Sequence, residues 1–308
     1  MAAVAGGDIV LEAVPNVSEG RDTACIEAFG RALAAHGCTL LDVHSDADHN
    51  RSVFTLVGGP QALADSLVGG ARKVIEHVDM RVHEGAHPCV GALDVVPIVY
   101  LRGEDRELAH DEALAVGNRL AGELDLPVFM YGELASSDER RERAYFREGG
   151  VSTAAARMEA GELVPDFGPP RLHPTAGAAL VTARPPLVAF NVELDTADLE
   201  IAKSIAARVR EAGGGLPGVR AIGVLLSSRG VAQVSTNVHD PLSVPLRRVV
   251  DAVRDEAEGM GAHVTGAEVV GLTPAAALDG FPPDVPLNAF DHGRHVLEER
   301  VGLRASDA

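Results

Sequence analysis

His83, Glu84 and His87 stand in the order H-E-x-x-H within "HEGAHPCVGALDVVP", residues 83–97. On a helix, two histidines four apart share a face and can grip one zinc ion, with the glutamate as the base of a peptidase. This segment cannot be that helix. Pro88 follows His87 and drives the residue before it toward extended backbone, and Gly85 weakens any helix between the histidines. Downstream, "GALDVVPIVYL" is a near-continuous apolar run rich in Val and Ile, which reads as a buried strand. The histidines therefore lie on a loop entering a strand, and the residues require no metal. His87 is left as a titratable side chain in a stiff frame of Gly85, Pro88 and Gly91. Its imidazole suits proton transfer near neutral pH.

Two more loops carry polar groups that a core cannot use. "VPNVSEGRD" offers Asn16, Ser18 and Glu19 directly after a strand, and "HSDADHNRS" offers His44, Asp46, His49, Asn50 and Arg51. Loops after strand ends are where sites are grafted, although turns also favour Asn, Asp and Ser for conformational reasons alone. Gln233, Ser235 and Asn237 fall on one face of a strand in "QVSTN" and either meet water or line a cavity. The segment "SSDERRERAYFREGG", residues 136–150, reads as a charge-rich solvated face.

The elements that must position these groups repeat. After "IVLEAVPNVSEG", a strand, "DTACIEAFGRALAAHG" is a helix with Ile26, Phe29 and Leu33 on one face, an Asp/Thr cap and a glycine stop. "TLLDV" and "SVFTLVG" are strands joined by the polar loop. "PQALADSLVGGARKVIEHVD" is a helix opened by Pro60 and buried through Leu63, Leu67, Val74 and Val78, and "ALDVVPIVYL" closes the unit. A helix, "EDRELAHDEALAVGNRLAGEL", and a strand, "PVFMYG", follow. The second half runs through "LVAFNVEL", "TADLEIAKSIAARVREAGG", "VRAIGVLL", "VAQVSTNV", "PLSVPLRRVVDAVRDEAEGMG" and "AHVTGAEVVGL" in the same βαββαβ order. The fold class is α/β (α+β), with two ferredoxin-like subdomains, 1–184 and 185–308. Residues 168–186, "GPPRLHPTAGAALVTARPP", lie between the two repeats and are punctuated by Pro and Gly, and the lobes are read as joined near Arg184–Pro186. A cleft between the lobes is the expected binding place.

Composition narrows the partners. Among 308 residues, 27 Lys and Arg face 45 Asp and Glu, a net charge of −18. That surface repels nucleic acid and anionic membranes, and an anionic substrate needs local arginines to overcome the field. No apolar run reaches bilayer length, and "MAAVAGGDIV" lacks the basic start of a signal peptide. Three scattered cysteines, Cys25, Cys38 and Cys89, fit a reducing cytoplasm.

Taken in order, "VPNVSEG", "LLDVHSDADHNRSVFTLVG", "HEGAHPCVGALDVVP", "LPVFMYGE", "PDFGPPRLHPTAGA", "LVAFNVEL", "AQVSTNV" and "GAEVVGLTP" resemble the glutamate formimidoyltransferase (formiminotransferase) family across nearly the whole chain. The resemblance implies two α/β subdomains with stacked sheets, helices outside and a folate tunnel at their interface. It implies transfer of the formimidoyl group from N-formimidoyl-L-glutamate to tetrahydrofolate, giving L-glutamate and 5-formimidoyltetrahydrofolate, in histidine degradation and one-carbon metabolism. Tetrahydrofolate is then a co-substrate, and a homodimer is implied by the family alone. The chain ends at Ala308, so no fused cyclodeaminase is expected.

The family's catalytic histidine precedes the proline of its H-x-G-x-H-P motif, which is His87 here. Its folate-binding stretch corresponds to Gly168, Pro169, Pro170, Arg171, Leu172, His173, Pro174, Thr175, Ala176 and Gly177. Asn16, His44, Asn50 and Arg51 are carried with them as substrate- or folate-binding candidates. Arg51, Arg171 and Arg184 are the candidates for substrate carboxylates, by bidentate geometry. Two departures stand out. Family members usually carry a basic residue where this chain has Cys89, and vertebrate members carry Asp where it has His44. They leave open a second reading, a folate-binding paralogue that lacks this activity or uses another N-formimidoyl or N-formyl donor.

Overall fold

The computed structural model describes residues 10–301. The readings of the extreme N-terminus and of the end at Ala308 lie outside them. The described chain divides into two compact units, one up to Pro185 and one from Pro186 onward.

The first unit opens with a strand broken in two, β1 (Leu11–Ala13) and β2 (Asn16–Val17). Both halves pair antiparallel with the same two neighbours, β4 (Arg51–Gly58) and β5 (Leu93–Tyr100). Pro15 in the break has no N–H to give a ladder, while Val14 N donates to Pro97 O across from it. Next comes α1 (Thr23–Leu33), started by Asp22, whose carboxylate accepts from the backbone of Ala24 and Cys25. The hairpin β3 (Thr39–Asp46) and β4 (Arg51–Gly58), the helix α2 (Pro60–His77) and the strand β5 (Leu93–Tyr100) complete the repeat. Every residue of β5 is buried, as its continuous apolar run predicts.

The chain continues through α3 (Arg106–Leu124), β6 (Val128–Met130), α4 (Arg143–Arg147), α5 (Gly150–Glu159) and β7 (Ala179–Arg184). β7 lies parallel to β5 on one side and to β6 on the other. The two units divide after Pro185, and the segment before that point belongs to the first sheet, which corrects the reading of 168–186 as lying between the units. Its last third, "ALVTAR", is an apolar stretch that the sheet buries, and prolines flank it without interrupting it.

One face of this sheet packs Leu11, Phe54, Val96, Ile98 and Val181 against Phe29, Leu63, Leu67 and Val116 of the first three helices. The opposite face packs Val95, Phe129, Tyr131 and Leu180 against Phe146, Ala154 and Met158 of α4 and α5. Segment 136–150 is therefore not merely a solvated face. Phe146 is fully buried, Arg140 lies over the rings of Phe129 and Phe146, and Arg147 points inward.

The second unit is the four-stranded antiparallel sheet β11-β8-β10-β9, formed by β8 (Val188–Leu194), β9 (Val219–Leu226), β10 (Val231–Val238) and β11 (Val264–Val270). The helices α6 (Leu199–Val209) and α7 (Leu246–Glu258) bury Ile205, Val209, Val249 and Val253 against Phe190, Val192 and Val234. Both units are thus α+β layers with the ferredoxin-like strand order, the first extended by β7 and β6.

Candidate active site

Three loops at one end of the first sheet meet: residues 18–20 after β2, the hairpin tip 47–50, and the loop 83–92 that enters β5. Asn50 fastens them. Its backbone sits at φ 47°, a left-handed turn conformation that Asn tolerates. Its side-chain oxygen accepts from Gly20 N at 3.0 Å. Its Nδ2 donates to Glu84 O at 2.9 Å and faces His83 Nδ1 at 3.3 Å. Ser18 Oγ donates to Gly91 O at 2.8 Å, and Ala86 N donates to Asp48 O at 2.9 Å. A Cβ on Gly85 would stand 2.3 Å from His49 O, so only glycine lets these loops close.

Ser18, His49, Asn50, Arg51, His83, His87, Cys89 and Asp94 line the resulting pocket. Residues 83–87 are not helical, and His83 is turned to Asn50, so the two histidines do not form the helical pair of a zinc peptidase. His87 stacks on His49 with ring centroids 5.9 Å apart, and its Nδ1 is buried without a hydrogen-bond partner among the described residues. Burial holds the His87 imidazole well below the usual histidine range, and the charges of Arg51 and Arg147 add to this. The ring is accordingly neutral at pH 7 and able to accept a proton. An NMR titration of the His87 ring is expected to give a midpoint below 6.5; a midpoint at or above that value would contradict the desolvated setting.

Cations crowd this neutral base. Arg51 donates to Asn16 Oδ1 through Nε at 3.0 Å and through Nη2. Burial pushes its guanidinium down to about 9, with Arg147 and Arg143 contributing, so it stays charged at neutral pH. Asp94 is 2% exposed in an otherwise apolar strand. Its Oδ1 accepts from Val90 N at 2.7 Å, and its Oδ2 is paired with Arg147 Nη2. The Cys89 thiol is pushed up to about 11 by burial and by Asp94, so it is a neutral wall of the pocket and not a nucleophile.

Of the binding candidates, Arg51 and Asn50 line the pocket and Asn16 supports Arg51. His44 does not lie in the hairpin loop. It sits within the edge strand β3, opposite Val53, because the strand runs on to Asp46, and it is not among the lining residues. In the 168–177 stretch, Gly168, Pro170, Arg171 and Pro174 are exposed, and Pro169, Leu172, His173 and Thr175 are half-buried. Arg171 pairs with Asp125 at 3.0 Å, both side chains 64% exposed. Ala176 and Gly177 are buried and pinned under the loop that enters β5. Ala176 O accepts from Ala92 N at 2.8 Å, and a Cβ on Gly91 would stand 2.0 Å from Ala178 O.

Sequence reasoning missed Asp94, which lines the pocket, Arg147, which pairs with it, and Arg143, whose charge with that of Arg147 acts on His87. Asp94 carried a signal: a carboxylate inside a strand that is buried on both faces demands a cationic partner. The partner's signal was Tyr145 and Phe146 between Arg143 and Arg147, an aromatic pair inside a charged segment. In the second unit, the expected polar face of β10 holds Gln233 fully buried, with neither amide atom hydrogen-bonded, beside Glu193, which takes Arg229 in two 2.7 Å bonds.

Both units match known protein families. Residues 10–184 match the model of the formiminotransferase domain, N-terminal subdomain, and residues 189–280 match that of the formiminotransferase domain. The chain belongs to the formiminotransferase family. Glutamate formimidoyltransferase of Streptococcus pyogenes serotype M1 is 39% identical over 95% of this chain and 98% of its own length. The protein of the same name from Thermoplasma acidophilum is 35% identical over 96% of this chain and 99% of its own. The formimidoyltransferase-cyclodeaminase of Gallus gallus is 41% identical over 87% of this chain, which spans 51% of that relative. The formiminotransferase fold thus accounts for both units.

Proposed function

We propose that the protein is a glutamate formimidoyltransferase, which moves the formimidoyl group of N-formimidoyl-L-glutamate to N5 of tetrahydrofolate. The single observation that carries the chemistry is His87: a neutral imidazole without a hydrogen-bond partner among the described residues, in a pocket that Arg51 lines and that the charges of Arg147 and Arg143 reach, within a chain resembling enzymes of that name over nearly its full length. N5 attacks the formimidoyl carbon and loses a proton to His87. The tetrahedral adduct then collapses, the carbon–nitrogen bond to glutamate breaks, and His87 returns the proton to the departing amine. Atoms and charge balance with one base acting twice. The arginines stabilise substrate carboxylates, and holding the two substrates together supplies what a single base cannot.

Arg51 is proposed to contact a substrate carboxylate, with Asn16 fixing its guanidinium and Asn50 fixing the loops around it. His44 and the stretch Gly168 to Gly177 are proposed to meet folate, the latter because its buried end is fastened to the loop that carries His87. The two units are proposed as the two subdomains of the transferase. No described helix is long and apolar enough to cross a membrane. Cytoplasmic location is proposed from three free thiols, and a homodimer from the family. The test is an assay with tetrahydrofolate and N-formimidoyl-L-glutamate, read as 5-formimidoyltetrahydrofolate formed, with and without a chelator. Equal turnover in both arms is expected. No product would overturn the reading, and activity lost with a stripped metal would overturn the metal-free mechanism.

A further inference from the structure

The donor N-formimidoyl-L-glutamate has a carboxylate one carbon away from the nitrogen that must leave. A pocket that brings that nitrogen to His87 must also receive this anion. Resting on the proposed function, we infer that Arg143 is the specificity residue that holds this carboxylate, beside His87, with Arg147 and Arg51 as the flanking cations.

The arrangement of α4 carries the argument. Arg143 and Arg147 stand four apart on this short helix and so share one face. Phe146, packed on Phe129 at 5.3 Å, anchors the helix to the sheet. Arg147 on the shared face reaches Asp94 Oδ2, and Asp94 lines the pocket with His87. The shared face is therefore directed to the pocket wall, and Arg143 lies one turn earlier along it.

The other arginines of this region have protein acceptors. Arg147 has Asp94, Arg51 has Asn16, Arg184 Nη1 has Pro185 O, and Arg140 has Asp166 and Val164 O. Arg143 is half-buried and, among the described residues, has no hydrogen-bond or ion-pair partner. Its charged surroundings are Arg147, Asp94 and Glu142, with the Tyr131 hydroxyl also near, and its own charge is felt at His87 and at Arg51. Asp94 is already committed to Arg147. A guanidinium placed among like charges and partly out of water, with its donors unspent, is unfavourable until an anion arrives. Its planar fork fits a carboxylate through two parallel N–H bonds, which a lysine cannot reproduce. This also answers the charge problem. In a chain of net charge −18, the attraction for a dicarboxylate is local and confined to this wall.

Two donors and two variants decide it. Arg143→Met and Arg143→Lys are compared with the unmodified protein on N-formimidoyl-L-glutamate and on the N-formimidoyl derivative of 4-aminobutyrate, which lacks only the carboxylate in question. Thermal melts check that each variant is folded. For the natural donor, Arg143→Met should raise KM by about tenfold or more, the scale of a lost charge-assisted pair, with Arg143→Lys intermediate and the tetrahydrofolate KM unchanged. For the truncated donor the unmodified protein and Arg143→Met should be equally poor. Equal losses on both donors, or no loss on either, overturn the assignment. Calorimetric binding of N-formimidoyl-L-glutamate to the protein and to Arg143→Met gives a readout without turnover. Binding weakened by Arg143→Met in a protein that makes no product would sink the transferase reading and keep the carboxylate site, whereas product formed with binding unchanged would do the reverse.

Discussion

His87→Ala is expected to lower kcat by about 10²–10⁴-fold, the usual contribution of a positioned base, while leaving the dissociation constant for tetrahydrofolate nearly unchanged. At 1.36 kcal/mol per tenfold, this is roughly 3–5 kcal/mol of barrier. The asymmetry follows from what the side chain does in the free protein. Among the described residues it has no hydrogen-bond partner, and its described ring contact is the stack on His49. Removing it therefore breaks no network and strands no partner. The loop that carries it is fixed by other groups, through Asn50, Gly85 and the backbone of Ala92. Stopped-flow turnover with equilibrium folate binding on the same preparations separates the two effects. A change confined to KM would show that His87 positions substrate and is not the base.

Asp94→Asn should cost about 3 kcal/mol or more of unfolding free energy, because it leaves the buried guanidinium of Arg147 without its countercharge. Asp94 and Arg147 side chains are 3% and 9% exposed, so water cannot replace the lost carboxylate. Asn preserves one acceptor for Val90 N, so the loss isolates the charge from the hydrogen bond. The double change Asp94→Asn with Arg147→Met should recover much of the stability, since the orphaned cation is then gone. Denaturant melts of the two single variants and the double variant measure this. A single-variant loss below about 1 kcal/mol, the range of exposed pairs, would mean that solvent reaches the pair.

Most of the scaffold was legible in the sequence because it is written in periodicity. The twin βαββαβ order, the face of α1 formed by Ile26, Phe29 and Leu33, and the continuous apolar run of β5 each follow from burial, which acts on local pattern. The loop setting of His87 was legible for a different reason: Pro88 and Gly85 forbid the helix that would otherwise explain the two histidines. Arg143, Arg147 and Asp94 were not joined, since an ion pair spanning 53 residues leaves no trace in spacing. β7 was misread because its flanking prolines resemble linker punctuation, while its place between β5 and β6 depends on long-range parallel pairing. His44 was placed in a loop because polar residues continue to the hairpin tip; as an edge strand, β3 tolerates them where a central strand would not.

The amide of Asn50 has its own consequence. One side chain holds the strand-exit turn at Gly20 and the histidine loop at Glu84, while its own backbone closes the hairpin. None of the three loops can drift outward without breaking a bond to the other two. The pocket therefore opens as a single cooperative unit, and the free energy of that opening is shared by all three segments. A substitution in the hairpin tip would be transmitted to the imbalance of the histidine loop without touching it. The placement of the His87 ring is thus a collective property of a knot, stored some distance along the chain from the imidazole it holds.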